Sequence, residues 1–178
     1  DIILVVGMIL DNADYSVLAD LSGDGEVNVQ DIILIVNMIL GRVNNFGDAD
    51  DGTLIIGRNA VLLDADGYVG AVQMTLKHGS DFYLDLTGKV DPLLGISEYK
   101  QDGNMTRLVI VGPESYELFT YRGNFEILDM MVVNSIQEIR VEVISPALFS
   151  LGAAYPNPFN PVTSISQDVS DAGQMNVS

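Results

Sequence analysis

Two stretches of ten residues, DIILVVGMIL at 1–10 and DIILIVNMIL at 31–40, are apolar at almost every position after an opening Asp. They agree at eight of ten positions, thirty residues apart, so the N-terminal region is a duplicated unit. Each predicts a short helix. About ten residues make roughly 15 Å of helix against a hydrocarbon layer of roughly 30 Å, too little to span a membrane. Gly7 and Asn37 are the main interruptions of runs that are otherwise apolar all round. A helix pair that packed only on itself would keep a polar outer face. The excess therefore predicts a second apolar neighbour, either the following part of the same chain or another chain.

After Gly41 the pattern changes to short runs of strand character. TLIIG (53–57), NAVLL (59–63), YVGAVQMTLKH (68–78), DFYLDL (81–86), TRLVIVG (106–112), YELFTY (116–121), NFEILDMMVVN (124–134) and EIRVEVIS (138–145) are separated by Gly, Asp, Asn and Pro. They predict a β-sandwich of about a hundred residues, a jelly roll rather than an open sheet. The expected fold is mainly β with a small α part. Its parts are the helix pair at 1–42, the sandwich at 43–150 and a final segment at 151–178.

Charge narrows the partners. With 25 acidic and 8 basic residues the net charge is −17, which repels nucleic acid and anionic membrane surfaces and favours divalent cations. There is no cysteine and a single histidine, His78, so a metal here must be held by oxygen. The stretch DLSGDGEVNVQD, 20–31, has the matching spacing. Counted from Asp20, the loop places Asp20, Ser22 and Asp24 at positions one, three and five, Gly25 at six, Asn28 at nine and Asp31 at twelve. This is the spacing of an EF-hand-type calcium loop, in which alternate side chains turn inward, Gly25 permits the sharp turn and Glu26 gives its carbonyl. An Asx-rich turn capping the following helix is the plainer reading of the same residues.

The loop, the helix and the closing Gly41 resemble a dockerin, the calcium-binding module that joins secreted proteins to cohesin domains. Asp at position twelve fits that family. A loop corresponding to 20–31 is missing before Asp1, and Val29 and Gln30 replace the Ser-Thr pair familiar in dockerins. The resemblance implies Ca2+ held by Asp20, Ser22, Asp24, Glu26, Asn28 and Asp31, and a protein partner that is either a cohesin-like domain or further copies of this chain. GYVGAVQMTL and LFTYRGNFEILDMMVVN resemble a cohesin-like or carbohydrate-module-like sandwich.

Other acidic positions read more plainly. Asp64 and Asp66 in DADG are expected in a hairpin turn. Asp48, Asp50 and Asp51 in GDADDG are expected in a turn as well. His78 lacks an evident Ser or Asp partner and is expected to be solvated or structural at a strand end. Sugar binding would draw on Tyr68, Tyr83, Tyr99, Tyr116 or Tyr121, since there is no Trp.

The segment LGAAYPNPFNPVTSI, 151–165, holds three of the six prolines within six residues and predicts a stiff, extended linker with a strand after it. Across Ala154 to Thr163 it resembles the opening of the C-terminal sorting domain of type IX secretion in Bacteroidetes-related bacteria. That resemblance implies a secreted or cell-surface product. With Asp1 following neither an initiator Met nor a leader, the chain is expected to be processed or fragmentary. The expected function is a non-catalytic calcium-binding protein of extracellular assembly, docking to a scaffold or self-assembling into a homo-oligomeric filament or sheath. The alternative is a carbohydrate-binding or accessory module of an extracellular hydrolase.

Overall fold

A computed structural model of the chain describes residues 2–11, 13, 16–41 and 47–145, together with three short strands further on. The chain divides into two units, Asp1–Ile144 and Ser145–Ser178.

The first unit opens with α1 (Ile2–Asp11) and α2 (Val29–Leu40). Helix α2 has strong local signals at both ends. Asn28, in extended backbone, accepts the N–H of Gln30, and the Asp31 carboxylate reaches back to the N–H of Asn28, completing a capping box. Gly41, in the left-handed region at φ 60°, closes the last turn by donating to Asn37 and Met38 carbonyls. The end of α1 lies beside the start of α2, where Met8, Ile9, Val27 and Asn28 line one cleft.

Nine strands follow: β1 (Asp51–Ile56), β2 (Ala60–Ala65), β3 (Ala71–His78), β4 (Tyr83–Asp85), β5 (Ile96–Asp102), β6 (Met105–Val111), β7 (Glu117–Arg122), β8 (Phe125–Val133) and β9 (Arg140–Ile144). They form two sheets, ordered β4-β7-β2-β1-β9 and β5-β6-β3-β8. The chain crosses between sheets at six connections, all except the β1–β2 and β5–β6 hairpins. This repeated crossing is the jelly-roll type of sandwich anticipated from the strand pattern. Strand β9 pairs in parallel with β1, Leu54 against Val143, so the last strand returns beside the first.

Strand alternation sorts the residues. Val72, Met74 and Leu76 of β3 point between the sheets, where they meet Leu54, Val61, Leu108 and Phe119 in a fully buried core. The opposite face of the β5-β6-β3-β8 sheet carries Ala71, Val109, Val111 and Val133, and the helix pair lies on it. Val5, Val6, Ile9 and Leu10 of α1 and Val29, Ile32, Ile33 and Val36 of α2 are buried in this second cluster. Each large apolar side chain so covered contributes about 1.5–3 kcal/mol before ordering costs. The apolar neighbour that the helices require is thus the sandwich of their own chain. Gly70 permits the approach, since a Cβ there would stand 2.6 Å from the Asn134 carbonyl oxygen and 2.9 Å from Ile33 Cδ1.

Two local expectations differ. Strand β5 was absent from the pattern because five of its seven residues, Glu98 to Asp102, are exposed and polar or amphipathic along an edge. DADG at 64–67 is not a hairpin turn: β2 pairs with β1 and β7, so Asp66 and Gly67 begin a crossing to the other sheet.

The second unit contains β10 (Ser150–Leu151), β11 (Ile165–Asp168) and β12 (Met175–Val177) in one antiparallel sheet. The Pro-Asn-Pro stretch lies outside the described residues.

Candidate metal centre

The loop between the turn at 17–19 and α2 is built almost entirely from side-chain carboxylates and hydroxyls bonded to backbone N–H groups. Asp20 is its hub. Its Oδ1 accepts from Gly23 N at 2.6 Å and from Ser22 Oγ at 3.2 Å, and its Oδ2 accepts from Gly25 N at 3.0 Å. The chain can turn this sharply because Gly25 sits at φ 91°, where a Cβ would be strained whatever space surrounds it. Asp24 Oδ1 accepts from Glu26 N at 2.8 Å, and Oδ2 accepts from Asn28 Nδ2 at 3.1 Å.

Asp31 closes the loop from the first turn of α2. Its Oδ1 accepts from Leu21 N at 2.8 Å and Ser22 N at 2.9 Å, and its Oδ2 accepts from Asn28 N at 2.9 Å. The residue is fully buried, an expensive place for a carboxylate without strong donors. The two ion pairs among the described residues, Asp11 with Lys100 and Asp51 with Arg140, both lie elsewhere.

Of the six residues anticipated as ligands, the structure joins Asp20 to Ser22 and Asp24 to Asn28, and carries Asp31 across to the backbone at positions two, three and nine. Glu26 is exposed and enters the loop through its N–H. Among the described residues no three or more His, Asp or Glu side chains converge into a group able to hold a metal. The donor set is mixed: three carboxylates, a hydroxyl, a side-chain amide and a main-chain carbonyl. Such a set of hard oxygens fits calcium, and both Asp24 oxygens and Asp31 Oδ2 each accept a single N–H and so retain a second lone pair. Asp20, Ser22, Asp24, Asn28 and Asp31, with the carbonyl of Glu26, are the residues that would hold the ion.

The chain matches no protein-family model and no curated protein. Among solved structures it is similar to the non-cellulosomal cohesin from the hyperthermophilic archaeon Archaeoglobus fulgidus. The two are 14% identical, with a TM-score of 0.36, and the match covers 55% of this chain and 86% of that one.

Asp48, Asp51, Asp66 and His78 are engaged in the fold. Asp66 Oδ1 accepts from the N–H groups of Asp50 and Asp51, at 3.0 and 3.2 Å, and Asp48 Oδ2 accepts from Ser135 Oγ at 2.5 Å. Asp51 meets the Arg140 guanidinium at 2.6 Å, which holds its carboxyl below the usual range. His78, expected at a solvated or structural strand end, is buried. Its ring stacks on Phe82 at 4.4 Å, with Nδ1 2.9 Å from the Gly79 carbonyl oxygen and Nε2 2.8 Å from Thr106 Oγ1.

One participant escaped the sequence. Gln73, on β3, accepts the N–H of Val29 through Oε1 at 3.2 Å and lines a cleft of about 360 Å3 with Glu26, Asn28, Thr75, Arg107 and Asp129. Its only sequence signal is the alternation that puts it on one face with Ala71.

Proposed function

We propose that this chain is a non-catalytic calcium-binding structural protein of the cell exterior, in which a metal-stabilised helix pair and a sandwich mediate protein–protein assembly. The observation that carries the reading is the loop at 20–31. Asp20 bonds back to the N–H of Gly25 at position six, and Asp31 at position twelve ties the loop to the helix that follows. The contact surface draws on the helix residues that the sandwich leaves uncovered: Ile3, Leu4, Met38 and Ile39 are each more than 60% exposed. Large apolar side chains left exposed on a strongly charged protein support a partner-binding role. Export rests on the Pro-Asn-Pro segment of the sequence. The partner is either a cohesin-like domain or another copy of the chain.

Calorimetric titration with CaCl2, followed by sedimentation velocity in calcium and in chelator, tests the reading. One site with Kd of about 10⁻⁴–10⁻³ M, the range of extracellular modules, is expected. Absence of saturable calcium binding would refute it.

The saccharide alternative draws on a groove of about 300 Å3 in which Tyr116, 69% exposed, stands with Tyr68, Pro113 and Glu114. Retention on a glycan array that is lost in Tyr116→Ala would favour that alternative over assembly.

A further inference from the structure

Gln73 stands at the border of the apolar landing face, between the row of Val111, Ala71 and Val133 and the row of Arg107, Thr75 and Asp129. It stands in register between Val109 of β6 and Met131 of β8, both of which pack under the helices together with Ala71. A glutamine there forgoes the apolar contact its neighbours make, and its half-buried amide needs a hydrogen-bonding partner. That partner is Val29, forty-four residues away in sequence.

Val29 is the first residue of α2 and the tenth of the loop, fully buried between Asn28 and Asp31. The first N–H groups of a helix have no partner within it. In α2 the N–H of Gln30 goes to the Asn28 side chain at 2.8 Å and that of Asp31 to the Asn28 carbonyl at 3.2 Å. The N–H of Val29 is satisfied from the sheet.

We propose that Gln73 is a positioning residue for the metal loop, holding its C-terminal half in place before the ion arrives; the proposal rests on the calcium reading above. Three carboxylates within twelve residues repel one another in the metal-free loop, and ordering them opposes binding. Gln73 offsets part of that cost by fastening Val29 to a central strand. By linkage, whatever factor Gln73 contributes to calcium affinity is also the factor by which calcium tightens α2 against the sheet.

The test is calorimetric titration of the full chain with CaCl2, beside hydrogen exchange at the Val29 amide. Gln73→Ala is expected to weaken calcium binding about five-fold, the weight of one hydrogen bond, and to remove the protection of that amide. Gln73→Glu keeps an acceptor oxygen at the same reach. It is expected to bind calcium at least as tightly as the parent and to keep the protection, whereas Gln73→Met, which fills similar space without the acceptor oxygen, is expected to behave as Gln73→Ala does. Parent-like affinity and exchange in Gln73→Ala would overturn the positioning role and leave the calcium reading standing. A parent chain that takes up no calcium would overturn both. Should Gln73→Ala fail to fold, Gln73→Met beside Gln73→Glu decides: equal calcium affinity in the two overturns the proposal.

Discussion

Replacement of Asp31 by Ala separates what this carboxylate does for the fold from what it does for a metal. The fully buried side chain accepts three backbone N–H groups, from Leu21, Ser22 and Asn28. Asp31→Ala strands all three. Those of Leu21 and Ser22 are in partly buried surroundings and regain water, whereas that of Asn28 is buried and stays unsatisfied at about 1–3 kcal/mol. The expected loss is about 1–3 kcal/mol in chelator, read from urea denaturation followed by far-UV circular dichroism. In about 1 mM calcium the parent gains a further ~0.4–1.4 kcal/mol if the ion binds with Kd of about 10⁻⁴–10⁻³ M. The gap between parent and variant should widen by that amount. A loss below about 1 kcal/mol in chelator would refute the hydrogen-bonding argument, taking the lower end of the stranded-group cost as the threshold. An equal loss in calcium and chelator would remove Asp31 from the ligand set.

Two further outcomes follow from the packing. Gly70→Ala places a methyl group against the Asn134 carbonyl and Ile33, and is expected to cost about 1–3 kcal/mol by overpacking; unchanged thermal stability would show that α2 does not sit this close to the sheet. Tyr121 donates its O–H to the Gly57 carbonyl at 2.6 Å, and burial raises its phenol above the ordinary value of 10.0. The folded state therefore holds this proton more tightly than the unfolded chain does. Its contribution is complete below about pH 10 and is lost as pH rises through the raised value. Urea midpoints across that window should fall more steeply for the parent than for Tyr121→Phe, and parallel curves would contradict the assignment.

The turn and cap of the loop at 20–31 were legible in sequence because the side chains that bond within it lie inside twelve positions and each has a local reason: acceptors at alternate positions, a glycine at the turn, a carboxylate at the helix start. Helices and most strands were legible for a similar reason, since alternation and unbroken apolar runs are local patterns. Strand β5 was not, because an edge strand with Glu98, Lys100 and Asp102 exposed has no burial pattern to display. Position Gln73 was hidden differently. A polar residue on a strand reads as facing water, and only the long-range placement of α2 turns it into a cap. The apolar excess of the helices did announce a missing neighbour, but its identity depends on which sheet face lies open, a property of the whole strand order.

The helix pair precedes, in sequence, the strands it packs on. Asn37 Nδ2 donates to the Ser135 carbonyl, a bond across ninety-eight residues, and the face beneath α2 is incomplete until Val133 at the end of β8 is present. At synthesis rates of about 5–20 residues per second, the helices stay undocked for roughly 5–20 s. Entropy adds little to this delay, since loop closure grows only with the logarithm of length. The hazard is exposure: during that interval two ten-residue apolar segments have no landing site and are free to aggregate. Safe production of this fold therefore falls to whatever shields these two segments until the sheet behind them has formed.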